Sequence, residues 1–125
     1  MNNKQIVENF WLTMATNDFY AAARLLHDDY ILEWPQSGER ILGRDNFAAI
    51  NTNYPAEGEW RFTINQIVEE GDMVVTHVTA TDGKMIGRAI TFSTIHNGKI
   101  WKQIEFWPDL FEAPMWRAQW VEKMK

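Results

Sequence analysis

The spacing of apolar residues divides the chain into an N-terminal helical part and a C-terminal part with the two-residue period of β-strands. Residues 2–18 carry apolar side chains at helical spacing and predict a first helix, with Asn2 or Asn3 as its cap. Residues 18–26 predict a second helix that begins at Asp18, because a short acidic side chain suits an N-cap.

A short strand and a third helix are predicted before the period changes. Residues 30–35 read as a strand that Pro35 ends, and Ser37 with Gly38 supplies the chemistry of a turn. Residues 46–54 again show helical spacing and predict the third helix.

The part after Gly58 predicts a β-meander. Asp82-Gly83 and Asn97-Gly98 are strong hairpin signals, so the last three strands are expected to pair antiparallel. Helices followed by such a meander indicate an α+β fold, and the length fits one domain over residues 1–125. Four strands are predicted, over residues 59–70, 72–81, 85–95 and 99–107, followed by a short helix within residues 112–124.

The composition limits the kinds of partner that the protein is expected to bind. The net charge is −5 and the 12 Lys and Arg are scattered, so no nucleic-acid partner is expected. No cysteine is present, which excludes disulfides, thiolate metal sites and a Cys nucleophile. The three histidines lack metal-binding spacing, and neither a metal nor a cofactor is expected. Without a signal peptide or an apolar run long enough to span a membrane, we expect a cytoplasmic protein with no membrane partner.

Aromatic residues make up 14% of the chain, which fits either a core of large side chains or an aromatic-lined cavity. Composition leaves both explanations open. The residues expected to line such a cavity are Tyr30, Trp34, Phe47, Tyr54, Phe92, Gln103, Trp107 and Trp116.

The last strand predicts a homodimer. Its alternation places Ile100, Ile104 and Phe106 on one face, with Trp101, Gln103, Glu105 and Trp107 on the other. Both faces are therefore substantially apolar, whereas an antiparallel sheet with one wet face alternates cleanly. Since the helices can cover only one face, we expect the convex face to contact a second copy of the chain.

Glu105 and Arg88 are the leading candidates for site residues. On adjacent strands of a meander they can share one face, and a guanidinium lowers the pKa of a neighbouring carboxylate. Three roles remain open: a structural ion pair, ligand recognition, and acid/base catalysis. His77 falls opposite the more apolar face of its strand, and Asp82 lies at a turn where Asp commonly binds local backbone.

Four runs of the sequence have a familiar pattern: "WPQSGERILGRDNF", "EEGDMVV", "NGKIWKQIEFWPD" and "FEAPMWRAQWVE". Through them the sequence resembles the SnoaL-like, polyketide cyclase-like branch of the nuclear transport factor 2-like superfamily. The resemblance implies a cone-shaped roll, in which N-terminal helices pack inside a strongly curved antiparallel sheet around a deep pocket. That superfamily includes cyclases, isomerases, dehydratases and epoxide hydrolases, besides members with no known activity.

Only some of the family's site residues have a matching residue in this sequence. Trp34 occupies the position at which the isomerases carry their general base. The Tyr that the isomerases carry on the first helix would fall near Phe10 or Trp11. Of the epoxide hydrolases' Asp-Arg-Asp trio, the Arg matches Arg88 and the last-strand Asp matches Glu105, while the middle position holds Ile90.

These observations favour a protein with a hydrophobic pocket that binds a small apolar or aromatic ligand. It could be a cofactor-free lyase, isomerase or hydrolase that acts by proton transfer on a polyketide- or terpenoid-like substrate. The alternative is a non-catalytic binding or interaction module in which Arg88 and Glu105 form a structural ion pair.

Overall fold

The computed structural model describes residues 1–124, in which a six-stranded curved sheet carries three α-helices on one face. The predicted α+β architecture is confirmed. The helices are α1 (Asn3–Met14), α2 (Phe19–Ala23) and α3 (Arg44–Asn53), and a 3₁₀ helix spans Met115–Trp120. The strands are β1 (Leu26–Trp34), β2 (Glu39–Leu42), β3 (Arg61–Glu70), β4 (Met73–Thr81), β5 (Ile86–His96) and β6 (Lys99–Phe106).

The first two helices begin at the predicted caps. The side chain of Asn2 accepts from the backbone N–H of Gln5 at 2.8 Å, and Gln5 accepts in return from the N–H of Asn2 at 3.0 Å. Asp18 accepts from the N–H of Ala21 at 3.0 Å. These bonds satisfy N–H groups that lack partners in the first helical turn.

The strands lie in the order β2-β1-β6-β5-β4-β3. The meander of β4 to β6 is antiparallel as predicted, and β3 also pairs antiparallel with β4. Because β1 joins β6 in parallel, the sheet is mixed instead of wholly antiparallel. The sequence analysis missed β2, which pairs antiparallel with β1. Ser37 and Gly38 are indeed turn residues, but they close a hairpin.

The concave, inner face of the sheet holds the core. The helices contribute buried residues such as Val7, Phe10 and Phe47, which pack with Leu32 of β1 and Val78 of β4. Within the described chain, the three helices cover this inner face and leave the outer face of β5 and β6 without a helical layer. No helix of residues 1–124 has the length and apolarity needed to cross a membrane.

A β-bulge in the last hairpin changes which side chains of β6 face inward. His96 pairs with Lys99 and Ile95 with Ile100, but Thr94 pairs with Lys102, so one extra residue enters β6. Ile100 is consequently buried in the core, and the prediction that it lies on the outer face is wrong.

The segment after β6, residues 108–124, is called here the C-terminal arm. It contains the predicted short helix, in 3₁₀ form, over Met115–Trp120. No residue of this helix is buried. The arm carries exposed apolar side chains throughout: Leu110, Phe111, Met115, Trp116, Trp120, Val121 and Met124.

Candidate functional site

Glu105 lies on the inner face of β6 and is only 7% exposed. One carboxylate oxygen, Oε1, accepts from Trp34 Nε1 at 3.1 Å and from Trp107 Nε1 at 2.8 Å. The other, Oε2, accepts from Thr91 Oγ1 at 2.7 Å. Three neutral donors therefore hold a buried carboxylate in place.

Each donor reaches Glu105 from a different element. Trp34 ends β1, the parallel neighbour of β6, and Thr91 is directly opposite Glu105 on β5. Trp107 follows β6, where its backbone N–H donates to the side chain of Gln36 at 2.6 Å.

The ring of Trp107 packs on the backbone of Gly87. A Cβ atom at this position would lie 3.2 Å from the ring, closer than most carbon contacts. The absence of a side chain at Gly87 thus leaves the space that the indole fills.

The predicted pair of Arg88 with Glu105 is not formed. Arg88 is exposed, pairs with Thr79 of β4, and lies on the outer face. In a regular hairpin closed by His96 and Lys99, Glu105 would lie opposite Ile90, on the face of Arg88. The bulge places it opposite Thr91 instead, and a one-residue shift moves a side chain to the other face.

Among residues 1–124, Glu105 has no cationic partner, since no ion pair involves this carboxylate. Over the same range, no group of three or more His, Cys, Asp and Glu side chains is placed to hold a metal ion.

A second polar cluster lies beside Glu105 on the same face. Tyr30 Oη donates to Gln103 Oε1 at 2.5 Å, and Gln103 Nε2 donates to Ser93 Oγ at 3.1 Å. Burial raises the pKa of Tyr30 well above its usual value, and the negative charge of Glu105 raises it further. Tyr30 therefore stays a neutral donor.

Two buried polar atoms have no hydrogen-bond partner among the described residues: Trp11 Nε1 and Thr76 Oγ1. Thr76 lies directly opposite Thr91 across β4 and β5, so its hydroxyl extends the row that begins at Glu105. An unpaired buried donor costs about 1–3 kcal/mol, which a ligand oxygen or a water would offset.

The structure brings Trp34, Trp107 and Glu105 together but distributes the other predicted lining residues elsewhere. Tyr30 and Phe47 are core residues, with ring centroids 5.6 Å apart. Phe92 lies on the outer face, where its ring centroid is 6.4 Å from that of Phe106. Gln103 binds Tyr30, Tyr54 is half exposed beside Trp60, and Trp116 is exposed in the C-terminal arm.

Two surface depressions lie near these residues. One of about 410 Å³ is lined by Glu33, Trp34, Pro35 and the β2 residues Glu39 and Arg40, so Trp34 belongs both to this depression and to the Glu105 cluster. The other, about 240 Å³, contains Tyr54 and Trp60.

Sequence reasoning missed Thr91, Ser93 and Thr76. The available signal is the alternation of Thr91 and Ser93 in β5, which places two small hydroxyl residues on one face of that strand. Gln36 gave no signal, since it lies in a turn that only the fold brings to Trp107.

Comparison with known proteins places this chain in a family. A sequence model of the SnoaL-like domain matches residues 7–103, and no curated protein matches the chain. A crystal structure from Kribbella flavida DSM 17836, named as a candidate ketosteroid isomerase, is 27% identical with a TM-score of 0.88. The alignment covers 98% of this chain and 90% of that one.

Two further structures are similar. An NTF-2 like protein of unknown function from Burkholderia xenovorans LB400 is 32% identical, with a TM-score of 0.80 and coverage of 98% and 95%. An LEH-like epoxide hydrolase from M. tuberculosis is 20% identical, with a TM-score of 0.69 and coverage of 85% and 82%, and shares the fold.

Two of these alignments extend into the C-terminal arm. Because 2% of 125 residues is about three residues, the Kribbella and Burkholderia alignments include most of the arm. The family match spans well over half of the chain, and the Burkholderia protein is similar along almost all of it. The chain belongs to the SnoaL-like domain family of the nuclear transport factor 2-like superfamily.

Proposed function

We propose that this protein binds a small ring-shaped molecule with one or two oxygen atoms beside Glu105, and transfers a proton through that carboxylate without a cofactor. The observation that carries the proposal is a buried carboxylate with three neutral donors and no cation within the described residues. A carboxylate that serves only structure commonly has an ion-pair partner when buried.

The hydrogen bonds leave one acceptor position open. An ionised carboxylate offers about four lone-pair positions. Oε1 uses two for Trp34 and Trp107, and Oε2 uses one for Thr91. The remaining position on Oε2 can accept a hydroxyl of the ligand or remove a proton from a carbon next to a carbonyl.

Unpaired donors in the interior favour a ligand that carries oxygen. Thr76 Oγ1 lies one strand beyond Thr91 on the inner face, and a ligand carbonyl near it would accept a hydrogen bond from this hydroxyl. Trp34 and Trp107 supply apolar ring faces beside the carboxylate, which suit a ring in the ligand.

Entry would proceed past Trp34. Its ring lines the depression of about 410 Å³ and also donates to Glu105, so it separates open solvent from the carboxylate. A rotation of this half-buried ring would expose Oε1 and Oε2 to a ligand from the depression. Phe10 and Phe47 pack against each other deeper inside, which limits the ligand to a small size.

Binding is tested with matched phenols and their methyl ethers. The seven tryptophans give separate indole N–H signals in ¹⁵N-labelled protein, and Trp34→Phe and Trp107→Phe variants assign the two at the site. Phenol-type probes should shift both signals, whereas the ethers, which cannot donate to Glu105, should shift them less. Equal shifts for both probe classes, or shifts only at other tryptophans, would refute binding at Glu105.

Proton transfer is tested by exchange of the α-hydrogens of ring ketones in D₂O. Loss of a general acid or base typically lowers a rate by about 10²–10⁴-fold, and we expect Glu105→Gln to do so. Glu69→Gln, an exposed change on β3, is the matched control. If the wild-type protein does not accelerate exchange with any ring ketone while phenols bind, the protein is a ligand-binding module without this chemistry.

A further inference from the structure

Glu105 is a buried anion whose charge the described chain balances only with neutral groups. Its side chain is 7% exposed, and its three donors are two indoles and a hydroxyl. Among residues 1–124, no Lys, Arg or His forms an ion pair with it. Taking a carboxylate out of water is costly, and a nearby positive charge offsets that cost through direct attraction. A cationic ligand therefore gains more from this position than a neutral ligand of the same shape.

The oxygens around the open position on Glu105 can all accept hydrogen bonds. Oε2 has one lone-pair position free, and the Thr91 hydroxyl that donates to it at 2.7 Å keeps lone pairs of its own. Thr76, opposite Thr91 on β4, adds a buried hydroxyl oxygen without a hydrogen-bond partner among the described residues. A protonated primary amine has three N–H donors and no acceptor, as the side chain of lysine does. Its donors match a site made of these three oxygens.

The two indoles beside the carboxylate also suit a cation. Their N–H groups, on the positive edge of each ring, donate to Oε1 at 3.1 Å from Trp34 and 2.8 Å from Trp107. The faces of an aromatic ring are negative, and the indole of tryptophan binds cations best among the aromatic side chains. The Trp107 ring packs on Gly87, which holds it beside the carboxylate. Charge and ring faces therefore attract the same kind of ligand.

The approach to Glu105 is acidic. The depression of about 410 Å³ that Trp34 lines also contains Glu33, Glu39 and a single cation, Arg40. Arg40 pairs with Glu33 at 3.1 Å, whereas Glu39 forms no ion pair in the part of the chain that the structure describes. The whole chain has a net charge of −5. Negative potential at an entrance raises the local concentration of cations.

We propose that Glu105 binds protonated ring amines, with the ammonium group on Oε2 and the ring beside Trp34 and Trp107. The ammonium uses the same open position on Oε2 as the proposed function, on which this inference rests, but no proton transfer is required. Because both kinds of ligand need that one position, a bound amine excludes phenols and ring ketones. Ring amines are therefore competitive inhibitors of any turnover at Glu105.

The first test compares two probes of one shape, cyclohexylamine, which is protonated near neutral pH, and cyclohexanol. The indole N–H signals of ¹⁵N-labelled wild-type protein follow both titrations. The amine should shift the signals of Trp34 and Trp107 and bind at least about tenfold more tightly than the alcohol, since its charge attracts the buried carboxylate. Equal affinities, or shifts only at other tryptophans, would overturn the proposal.

Two carboxamide variants identify the charge that selects the amine. Glu105→Gln keeps the size of the side chain and removes its charge, so the preference for the amine should fall below about twofold. The matched control, Glu39→Gln, removes a charge at the entrance and should keep the preference within about threefold of the wild-type value, because salt and water screen exposed charges. A preference that is lost with Glu39 and retained without Glu105 would contradict the proposed site.

A competition experiment on the wild-type protein tests the site without any variant, in case Glu105→Gln does not fold. The indole shifts that phenol causes should disappear as cyclohexylamine is added. Simultaneous binding of both probes would overturn the shared position on Oε2.

The same titrations separate this inference from the proposed function. If phenols bind at Glu105 and the amine has no advantage over the alcohol, the amine site is refuted and the proposed function stands. If the amine binds with the expected preference, while phenols do not bind and ring ketones do not exchange, the proposed function is refuted and the amine site stands.

Discussion

Two carboxylates of this protein, Asp82 and Glu105, each accept three hydrogen bonds but obtain their donors in opposite ways. Asp82 binds the backbone N–H groups of Glu57, Lys84 and Met85, at 2.9, 3.0 and 2.7 Å. Glu105 binds side chains that come from β1, from β5 and from the residue after β6.

Because their hydrogen-bond donors differ, Asp82 and Glu105 have different structural roles. Two of the donors to Asp82 lie within three residues of it, so the group organises the turn between β4 and β5. Two of the donors to Glu105, Trp34 and Thr91, lie 71 and 14 residues away from it in sequence, and only Trp107 is close to it along the chain. A carboxylate assembled in this way ties three parts of the sheet together.

The largest expected effect is the loss of Glu105. Glu105→Ala leaves two indole N–H groups and the Thr91 hydroxyl without their acceptor, and each unpaired donor costs about 1–3 kcal/mol when buried. Since both tryptophans are only half buried, we expect the free energy of unfolding to fall by about 3 kcal/mol, measured by urea denaturation. Exposed Glu69→Ala should change it by less than about 0.5 kcal/mol. Equal effects of the two substitutions would show that Glu105 organises nothing.

Tyr30→Phe should have a smaller effect, because it removes one hydrogen bond from the cluster beside Glu105. The Gln103 side-chain oxygen loses its donor, at a cost of about 1–2 kcal/mol near neutral pH.

The effect of Tyr30 should also depend on pH. Its pKa in the folded protein lies above the ordinary value of 10.0, so its contribution to stability is complete below pH 10 and is lost as pH rises beyond it. The difference between wild type and variant should therefore narrow in alkaline urea titrations. A constant difference between pH 8 and pH 11 would contradict the buried position of this hydroxyl.

Asp82→Asn tests the turn carboxylate at acidic pH, whereas Tyr30 is tested at alkaline pH. Backbone hydrogen bonds, first that of Glu57 and then those of Met85 and Lys84, lower the pKa of Asp82 from 3.8 to about 2. Its stabilising contribution is therefore present above pH 3.8 and is lost as pH falls through about 2. Urea denaturation at pH 7, 4 and 2 should show the wild-type advantage over the variant shrinking toward the lowest pH. If the stability advantage of the wild type over the variant grew on acidification, the lowered pKa of Asp82 would be contradicted.

The smallest expected effect on the folding of one chain is that of Arg88→Ala, within about 0.5 kcal/mol, because the side chain is exposed on the outer face. Glu105→Gln should cost more, since the amide group replaces the acceptor of the Thr91 hydroxyl. This order is the reverse of what the predicted Arg88–Glu105 ion pair implied. Both variants are measured by urea denaturation, and a larger loss for Arg88→Ala than for Glu105→Gln would support that pair after all.

The apolar character of the sheet and the arrangement of the site residues differ in how far the sequence could reveal them. The apolar character of both faces of β6 is visible in the sequence, and it led to the expectation of a dimer. The face on which each residue lies was assigned partly wrongly, since Ile100 is internal and Phe92 is external.

The sequence alone determined the α+β architecture, the first helix cap as Asn2 or Asn3, the second as Asp18, and the antiparallel meander, and it singled out Glu105 as a candidate site residue. These features depend on local chemistry: side-chain period, capping groups and Asp-Gly or Asn-Gly turns act within a few residues. The resemblance carried by the four runs between Trp34 and Glu122 also sufficed to identify the family.

Tertiary structure decided which residues meet Glu105. One extra residue in β6 exchanged Arg88 for Thr91, because side chains in a strand alternate and a single insertion inverts every later position. The parallel pairing of β1 with β6 then brought Trp34 to the carboxylate from 71 residues away. Neither event leaves a local mark in the sequence, since both are set by how the whole sheet curves around its core.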